Sequence, residues 1–321
     1  MTWQLGGLLD FTYNETFISN YIGKSDSFYE NAENIITIMR DLAPSCEEML
    51  LGCMWAGVRI DCKKLFTVQR TFRGHCCAFN YVLDYANATG IPKSTKPTTE
   101  RQSHPGDFNG LNIIIDPLIE DYAYTSRIVH GIEILIFDSM HFADPNGGRM
   151  IQRIVEPDKA IYIQLQSVKQ VATSEVRKYG PKTRKCLFHD ERKEIFNDMY
   201  SYNACIVRCR IIAIQTICKC TPYFLPAGSD IPSCTLQQLP CLNKYQDKLR
   251  FIFPFGAERK EGLEMEFQDA LYCPACYPDC EFINYKSKTF KIDLPQLYVD
   301  QGLKQYRMLE YVCLPYRISR K

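Results

Sequence analysis

The chain has 321 residues, 46% of them hydrophobic, and its 38 basic and 37 acidic side chains leave a formal net charge of +1. This length and apolar content are sufficient for one large domain, or two smaller ones, with a buried core. The near-zero charge argues against a nucleic-acid-binding surface or a polybasic membrane patch, because both require an excess of lysine and arginine.

The first third of the chain is predicted to be helical. Ser27 and Glu30 form a capping-box pattern, and the apolar stripe that follows them ends before Pro44. A second short helix is predicted over residues 46–54. Residues 87–110 are rich in Pro, Thr, Ser, Asn and Gly, which indicates a long exposed loop at the end of this helical region.

The middle of the chain carries strand signals. Residues 111–115 and 131–137 are short apolar runs, and residues 160–166 alternate between apolar and polar side chains. In the last of these segments Ile161 and Leu165 are expected to share one buried face, opposite a wet one. These three segments predict a β-sheet at mid-chain.

The final third returns to helical periodicity before one more strand. Apolar spacing predicts helices over 193–217 and near 258–271, and the β-rich run 282–292 predicts a strand that leaves them. The acidic residues of the second helix, among them Glu261 and Glu264, are interpreted as a solvated face, with a cation- or proton-binding site as the alternative. Helices and strands in separate stretches indicate the α+β class.

Ten of the 16 cysteines fall between Cys186 and Cys280. A helix over 193–217 would place Cys205 and Cys209 one turn apart on the same face. An antiparallel return of the chain would then give three nested pairs, which are Cys209 with Cys273, Cys205 with Cys276 and Cys186 with Cys280. The two cysteines of Cys218-Lys-Cys220 are too close together to bridge each other, and they are expected to reach Cys241 and Cys234. The spacing alone leaves these pairings as hypotheses.

This cysteine content indicates an oxidising compartment. Two glycosylation sequons, at Asn14 and Asn87, agree with passage through the secretory route. The alternative is a cytosolic zinc protein in which Cys273-x-x-Cys276 and Cys218-x-Cys220 are half-sites. The five histidines lack the spacing that zinc fingers and ribbons require, so neither a metal nor a cofactor is predicted.

No segment reaches the roughly 18 to 20 consecutive apolar residues that a membrane-spanning helix needs. The first residues also lack the basic and apolar regions of a signal peptide. A disulfide-rich extracellular domain needs one or the other, so the natural protein is expected to continue beyond both ends of this sequence.

Catalytic signatures are absent from the sequence. There is no G-x-S-x-G motif, no glycine-rich phosphate loop and no metal-binding His/Glu pair at helical spacing. The alternative is a cysteine enzyme in which His75 activates Cys76 or Cys77, since a thiolate beside a protonated imidazole is reactive. The prediction is that the protein is not an enzyme.

Two groups of cysteine motifs, taken together, resemble one family. The first group consists of Cys46, Cys53, Cys62 and the doubled Cys76-Cys77. The second group consists of Arg184-Lys-Cys186, Cys205 and Cys209, Cys218-Lys-Cys220-Thr-Pro-Tyr-Phe and Cys273-Pro-Ala-Cys276-Tyr-Pro-Asp-Cys280. Over roughly residues 30 to 292 these motifs resemble the finger and thumb of degenerin/epithelial sodium channel subunits. The doubled cysteine is most similar to the insect pickpocket branch.

The resemblance implies a disulfide-rich ectodomain with a β-sheet palm and β-ball, a helical finger and a two-helix thumb. It divides the chain into a finger and knuckle (1–110), palm and β-ball strands (111–185), a thumb (186–280), and a return palm strand with a divergent tail (281–321). It implies the same five thumb disulfides, a Cys53–Cys62 disulfide, and a bond from Cys46 to one of Cys76 and Cys77.

The function that the resemblance implies is passive, amiloride-sensitive sodium transport across the plasma membrane. The chain would be the extracellular part of a stimulus-gated subunit that assembles with two further subunits, with its membrane segments missing here. The alternative is a non-conducting truncated relative that acts as a soluble or dominant-negative binding module. Thr183 stands where acid-sensing relatives carry an aromatic residue, for which Tyr179 is the substitute, and Cys313 has no evident partner.

Overall fold

The computed structural model contains both helices and antiparallel strands, in agreement with the α+β class. The residues that it describes are 2–14, 32–82, 99–102, 104, 106, 109–121, 130–192, 200–226, 231–253, 255–257 and 261–293. The helices are α1 (Thr2–Asp10), α2 (Ala32–Asp41), α3 (Cys46–Met49), α4 (Cys62–Leu65), α5 (Pro181–Arg184), α6 (Tyr202–Cys218), α7 (Leu239–Lys244), α8 (Gln246–Arg250) and α9 (Glu264–Asp269). The strands are β1 (Leu50–Trp55), β2 (Val58–Ile60), β3 (Phe66–Thr71), β4 (Gly74–Phe79), β5 (Leu111–Ile115), β6 (Ile132–Ile136), β7 (Ile151–Val155), β8 (Lys159–Gln170) and β9 (Phe282–Asp293).

Within the described residues the strands form small antiparallel sheets. One sheet has three strands in the order β2-β1-β5, and the pairs β3-β4, β6-β7 and β8-β9 are two-stranded. The β8-β9 ribbon is the longest pair, running in register from Lys159 opposite Asp293 to Gln170 opposite Phe282. It joins the strands to the cysteine-rich part of the chain, because β8 precedes that part and β9 follows it.

The helix predicted over residues 46–54 is wrong beyond its first turn. Ser45 caps α3 by accepting a hydrogen bond from the Glu48 amide at 3.1 Å, but the chain then continues as β1. Residues Leu50 and Cys53 are buried in a cluster with Leu65. The partner strand, β5, lies far along the sequence, so the local pattern could not reveal the pairing that overrides the helical periodicity. The first third of the chain, predicted to be helical, therefore also contains β1 to β4.

The strand predicted over residues 160–166 is longer than expected and does not have one buried face. In β8 the side chain of Leu165 is 50% exposed, although the alternating pattern predicted its burial. Among the described residues the ribbon has two strands, and it contacts the body through β7, where the Arg153 Nη2 donates to Ser287 Oγ at 2.5 Å. Much of both faces consequently remains in contact with solvent.

The helices of the second half are shorter than their predicted ranges. The described part of the 193–217 helix is α6, which Ser201 caps by accepting from the Ala204 amide at 3.1 Å. Among the described residues of the predicted 258–271 helix, only 264–269 form a helix, which is α9, and Leu271 instead forms a β-bridge with Ile252. Residues 193–199 and 258–260, like the capping box at Ser27, lie outside the described residues.

The largest core joins α1, near the start of the sequence, to residues of the second half of the chain up to Leu249. Helix α1 buries Leu5 and Leu8 in a cluster that also contains Phe224 and Leu239. Near the end of α1 the Asn243 side chain donates to the Phe11 carbonyl at 2.8 Å, so a carbonyl without a helical partner is satisfied. In the part of the chain that the structure describes, no helix combines the length and the apolar composition that a membrane crossing requires.

Candidate functional site: a disulfide-bridged helix and its base

Helix α6 is fastened along one side to the return segment 273–280. Two disulfides make these links, Cys205–Cys276 and Cys209–Cys273, with Cα–Cα distances of 5.6 and 6.2 Å. A third, Cys186–Cys280, joins the same return segment to the chain before α6 with a Cα–Cα distance of 5.0 Å. The two thiols one helical turn apart therefore meet two thiols of the returning chain. Each cross-link removes conformations from the unfolded chain and contributes about 2–4 kcal/mol in the chain-entropy account.

The C-terminal end of α6 has its own pair of disulfides. Cys218 is bonded to Cys241 in α7, and Cys220 is bonded to Cys234, with Cα–Cα distances of 5.8 and 4.9 Å. Lys219 between them adopts a left-handed conformation with φ of 58°, which ends the helix and separates the directions of the two thiols. With disulfides near both of its ends, α6 is constrained to move together with the segments that it binds. These segments, residues 186–192, 200–226, 231–253 and 273–280, are called the bridged unit below.

Two further disulfides lie in the first half of the chain. The structure bonds Cys53 to Cys62 and Cys46 to Cys77, with Cα–Cα distances of 5.2 and 5.7 Å. The resemblance left open which cysteine of the doublet joins Cys46. Adjacent residues of β4 face opposite sides, so Cys77 reaches Cys46 while Cys76 contacts Thr71 Oγ1 at 3.1 Å. Cys76 is the free cysteine among the residues described.

Asp279 forms the base of the bridged unit. Its side chain is 1% exposed, and its Oδ2 accepts from the Arg149 Nη1 at 2.8 Å. The other carboxylate oxygen accepts from the Tyr202 amide at 2.7 Å, at the start of α6. The Arg149 guanidinium also lies 3.6 Å from the ring centroid of Phe282, the first residue of β9. One carboxylate therefore connects α6, the loop before β7 and, through Arg149, the ribbon.

A buried ion pair connects α6 to the rest of the body. Arg210 and Asp144 have fully buried side chains and form a direct salt bridge. The Arg210 Nε also donates to the Leu249 carbonyl at 2.9 Å, and Asp144 Oδ1 accepts from the Asn146 amide at 2.9 Å. These hydrogen bonds compensate for removal of both charges from water. The sequence did not reveal this pair, because α6 carries a second arginine, Arg208, and nothing in the local pattern distinguishes the buried arginine from the exposed one.

Asn203 adds a second polar contact between the same two elements. Its buried side chain accepts from the Phe142 amide at 2.8 Å and donates to the Phe142 carbonyl at 3.2 Å. A Cβ on Gly147 would lie 2.8 Å from the Asn203 amide nitrogen, so glycine is needed at that position. Asn203 and Arg210, two turns apart on α6, thus bind the same 142–147 loop.

Comparison with known proteins gives this arrangement a context. A profile of the family described as "Amiloride-sensitive sodium channel" matches residues 7–316 of the chain. The chain belongs to the amiloride-sensitive sodium channel family. The match extends past both ends of the 30–292 range expected for the resemblance. The divergence of the tail, residues 281–321, stays a prediction.

Individual relatives in this family are distant. Sodium channel protein Nach of Drosophila virilis is 27% identical over 218 residues, covering 66% of this chain and 52% of that protein. Pickpocket protein 28 of Drosophila melanogaster is 22% identical over 303 residues, covering 84% and 47%. Acid-sensing ion channel 4-B of Danio rerio is 23% identical over 214 residues, covering 66% and 34%. These names confirm the expected similarity to insect pickpocket proteins, and the chain spans about half or less of the length of these relatives.

The alternative interpretations of the cysteines find no support in the described part of this family member. The cysteines of the two zinc half-sites are paired in disulfides, and the described residues contain no group of three or more metal-ligating side chains. Burial raises the pKa of the Cys76 thiol, and burial together with Arg70 lowers the pKa of His75 to about 4. At neutral pH both groups are uncharged, which is the opposite of an activated thiolate pair. The family is a channel family rather than an enzyme family.

Four other predicted positions have different outcomes. Asn14 is exposed, and its glycosylation stays a prediction. Asn87 and Cys313 lie outside the described residues. Tyr179, the substitute for the aromatic residue at position 183, is 59% exposed. Its role in coupling also stays a prediction.

His75 is expected to make the protein less stable as the pH falls below neutral. The folded-state pKa of about 4 is lower than the ordinary value of 6.5, so the unfolded chain takes up the proton first. The resulting contribution of His75 to the free energy of unfolding is complete above about pH 6.5 and is lost progressively toward pH 4. Because the ring is partly exposed, we expect the free energy of unfolding to fall by only about 1–2 kcal/mol.

Urea titrations at pH 7 and pH 4.5 measure this contribution. His75→Phe keeps the ring that stacks on Tyr223 at 5.9 Å and is expected to reduce the difference between the two pH values. The control is His130→Gln, at an exposed histidine, which is expected to leave the difference unchanged. An unchanged difference in the His75 variant would contradict the prediction.

Proposed function

We propose that the chain is the extracellular part of a sodium channel subunit that conducts sodium passively and is blocked by amiloride. The observation that carries this proposal is the family match over residues 7–316. The relatives' names include sodium channel and acid-sensing ion channel proteins. The subunit would lie in the plasma membrane with this part on the extracellular side, and membrane-spanning helices in the longer protein would form the pore.

The fold is proposed to follow the family's division into finger, palm, β-ball and thumb. The bridged unit falls within the proposed thumb at 186–280, and the β8-β9 ribbon contributes to the proposed palm. Three copies, identical or mixed, would form the channel. Five disulfides within the bridged unit support a lever-like role, because a stiff unit transmits a displacement at its outer surface to its base.

Asp279 is the proposed point of transmission. It is buried, and it bonds the start of α6 and Arg149, which covers the first residue of β9. Movement of the bridged unit relative to the ribbon would have to break or rearrange these bonds. The proposal assigns the stimulus to the outer surface of the unit and the response to this base.

Expression of the longer coding sequence in oocytes tests the proposed function. We expect a sodium current that amiloride blocks, either from this subunit alone or with co-expressed subunits of the same family. Replacing external sodium with an impermeant cation should abolish the inward current. Surface biotinylation reports delivery to the membrane. A matched pair of variants, Asp279→Asn and the exposed Asp269→Asn, separates an effect at the base of the bridged unit from an effect of surface charge.

The Asp279 variant is expected to alter the current at equal surface abundance, and the Asp269 variant is expected to behave as the unmodified subunit. Absence of a sodium current from a subunit that reaches the surface, both alone and with every co-expressed subunit, would contradict the proposal. Suppression of the current of co-expressed subunits would instead support the alternative of a non-conducting binding module.

A further inference from the structure

The segment between β8 and the bridged unit carries a concentrated run of basic side chains. Residues 176–185 contain five basic side chains and no acidic one, whereas the rest of the chain contains 33 basic and 37 acidic side chains. The overall charge of +1 therefore conceals a local positive surface. We call residues 171–185, which include this run, the basic loop.

The basic loop is fixed at both of its ends. It begins directly after β8, at the last position of the β8-β9 register, and there the Ala172 amide donates to Glu281 Oε1 at 3.4 Å. The loop then forms a 3-10 helix, Ser174–Lys178, followed by α5. It ends at Cys186, whose disulfide to Cys280 holds the other end. The surface of the loop is therefore already formed before any partner binds.

Two arginines of the basic loop neutralise the carboxylates beside it. The Arg177 Nη1 donates to both carboxylate oxygens of Asp190 at 3.0 Å, and its guanidinium lies 3.9 Å from the Phe188 ring centroid. Arg184, with a side chain that is only 4% exposed, forms an ion pair with Glu191. The two acidic side chains that follow the loop are thus paired with arginines, and they do not offset the charges of its lysines.

Three lysines of the basic loop face solvent. Lys178, Lys182 and Lys185 are exposed, and within the described part of the chain none of the three forms an ion pair. They are the last residue of the 3-10 helix, the second residue of α5 and the left-handed residue that ends α5. Tyr179, between the first two, is 59% exposed. The loop thus presents a row of ammonium groups together with one exposed aromatic ring.

We infer that the basic loop binds a sulfated glycosaminoglycan, a linear polysaccharide of the heparan sulfate class. Short stretches rich in lysine and arginine form heparin-binding patches, because their charges attract the sulfate groups that repeat along the sugar chain. Lysines on three successive elements suit such a linear polyanion better than a single free anion, for which the donors must converge on one point. The exposed ring of Tyr179 adds an apolar face for a sugar ring and a hydroxyl for a hydrogen bond.

The compartment distinguishes this polysaccharide from nucleic acid, the other common linear polyanion. Seven disulfides lie among the described residues, which is typical of proteins outside the cell. Sulfated glycosaminoglycans are the abundant linear polyanions there. A bound polysaccharide would attach the bridged unit, at its Cys186 end, to the extracellular matrix.

This inference goes beyond the proposed function, since a subunit that never contacts a polysaccharide could still conduct sodium. The two can therefore fail separately. Polysaccharide binding is measured with the purified 321-residue chain, and conduction is measured in cells with the longer protein.

Surface plasmon resonance on immobilised heparin tests the inference. We expect saturable binding of the secreted chain at physiological ionic strength, with the affinity falling as the salt concentration rises and with little binding to hyaluronan, which carries no sulfate. The triple variant Lys178→Gln, Lys182→Gln, Lys185→Gln is expected to lower the affinity about 30-fold. The corresponding triple lysine-to-arginine variant keeps the three charges and is expected to keep the affinity, which separates loss of charge from loss of folding.

A matched control removes three charges from exposed lysines outside the loop. The variant Lys64→Gln, Lys286→Gln, Lys288→Gln is expected to change the affinity less than about three-fold. Equal binding of the loop glutamine variant and the unmodified chain would overturn the inference, and so would an equal loss in the control. Equal binding to hyaluronan would also overturn it. Displacement by millimolar sulfate at constant ionic strength would identify a site for a free anion instead, and tighter binding to single-stranded DNA than to heparin would identify a nucleic-acid surface.

Discussion

Replacing Arg210 with alanine is expected to lower the free energy of unfolding by about 3–5 kcal/mol. The substitution leaves the Asp144 carboxylate buried without its counter-charge, and it also leaves the Leu249 carbonyl without its 2.9 Å hydrogen bond. A cavity remains beside Phe72, whose ring centroid lies 5.2 Å from the guanidinium carbon. All three losses act on α6, the helix on which the bridged unit is built.

Chemical denaturation of the secreted chain, with its disulfides intact, measures this change. Arg208→Ala is the control, because Arg208 is exposed on the same helix and is expected to cost less than 1 kcal/mol. A combined Arg210→Met and Asp144→Leu variant removes both charges and is expected to be more stable than Arg210→Ala. A loss below 1 kcal/mol for Arg210→Ala would show that the pair contributes little to stability.

The strands with the clearest local signals were predicted well. Residues 111–115 match β5, and 282–292 differs from β9 by one residue, because continuous β-branched or alternating runs carry their own signal. The helix over 46–54 failed because β5, a distant segment, decides the conformation of β1. Length and type of an element were thus predictable where its own residues determine them.

The features of the candidate site were likewise predictable only where local sequence determines them. The helical spacing of Cys205 and Cys209 was enough to suggest a nested register. Two thiols one turn apart on a helix require two partner cysteines at a similar spacing on the neighbouring segment. Spacing could not say which of Cys76 and Cys77 joins Cys46, since that depends on the face of β4 that packs toward α3. The Arg210–Asp144 pair joins residues 66 positions apart, and no local pattern identifies either side chain as the partner of the other.

The disulfide register is the other prediction with a large effect. Replacing Cys209 with serine is expected to release Cys273 as a free thiol and to lower the free energy of unfolding by about 2–4 kcal/mol. The disulfide closes a loop with a sequence separation of 64, so its removal returns considerable freedom to the unfolded chain. The same substitution weakens the link between the middle of α6 and the return segment.

Alkylation under denaturing, non-reducing conditions, followed by peptide mass mapping, identifies the released thiol. Cys273 is expected to be labelled in the Cys209→Ser variant and unlabelled in the unmodified chain, whereas Cys76 is expected to be labelled in both. Ile212→Ser, at a position on α6 that is 50% exposed, is the control for a polar substitution that leaves every disulfide intact. Labelling of Cys276 instead of Cys273 would mean that the return segment pairs with α6 one cysteine out of step. That register would move Asp279 away from the Tyr202 amide, and the base proposed to transmit motion could not form.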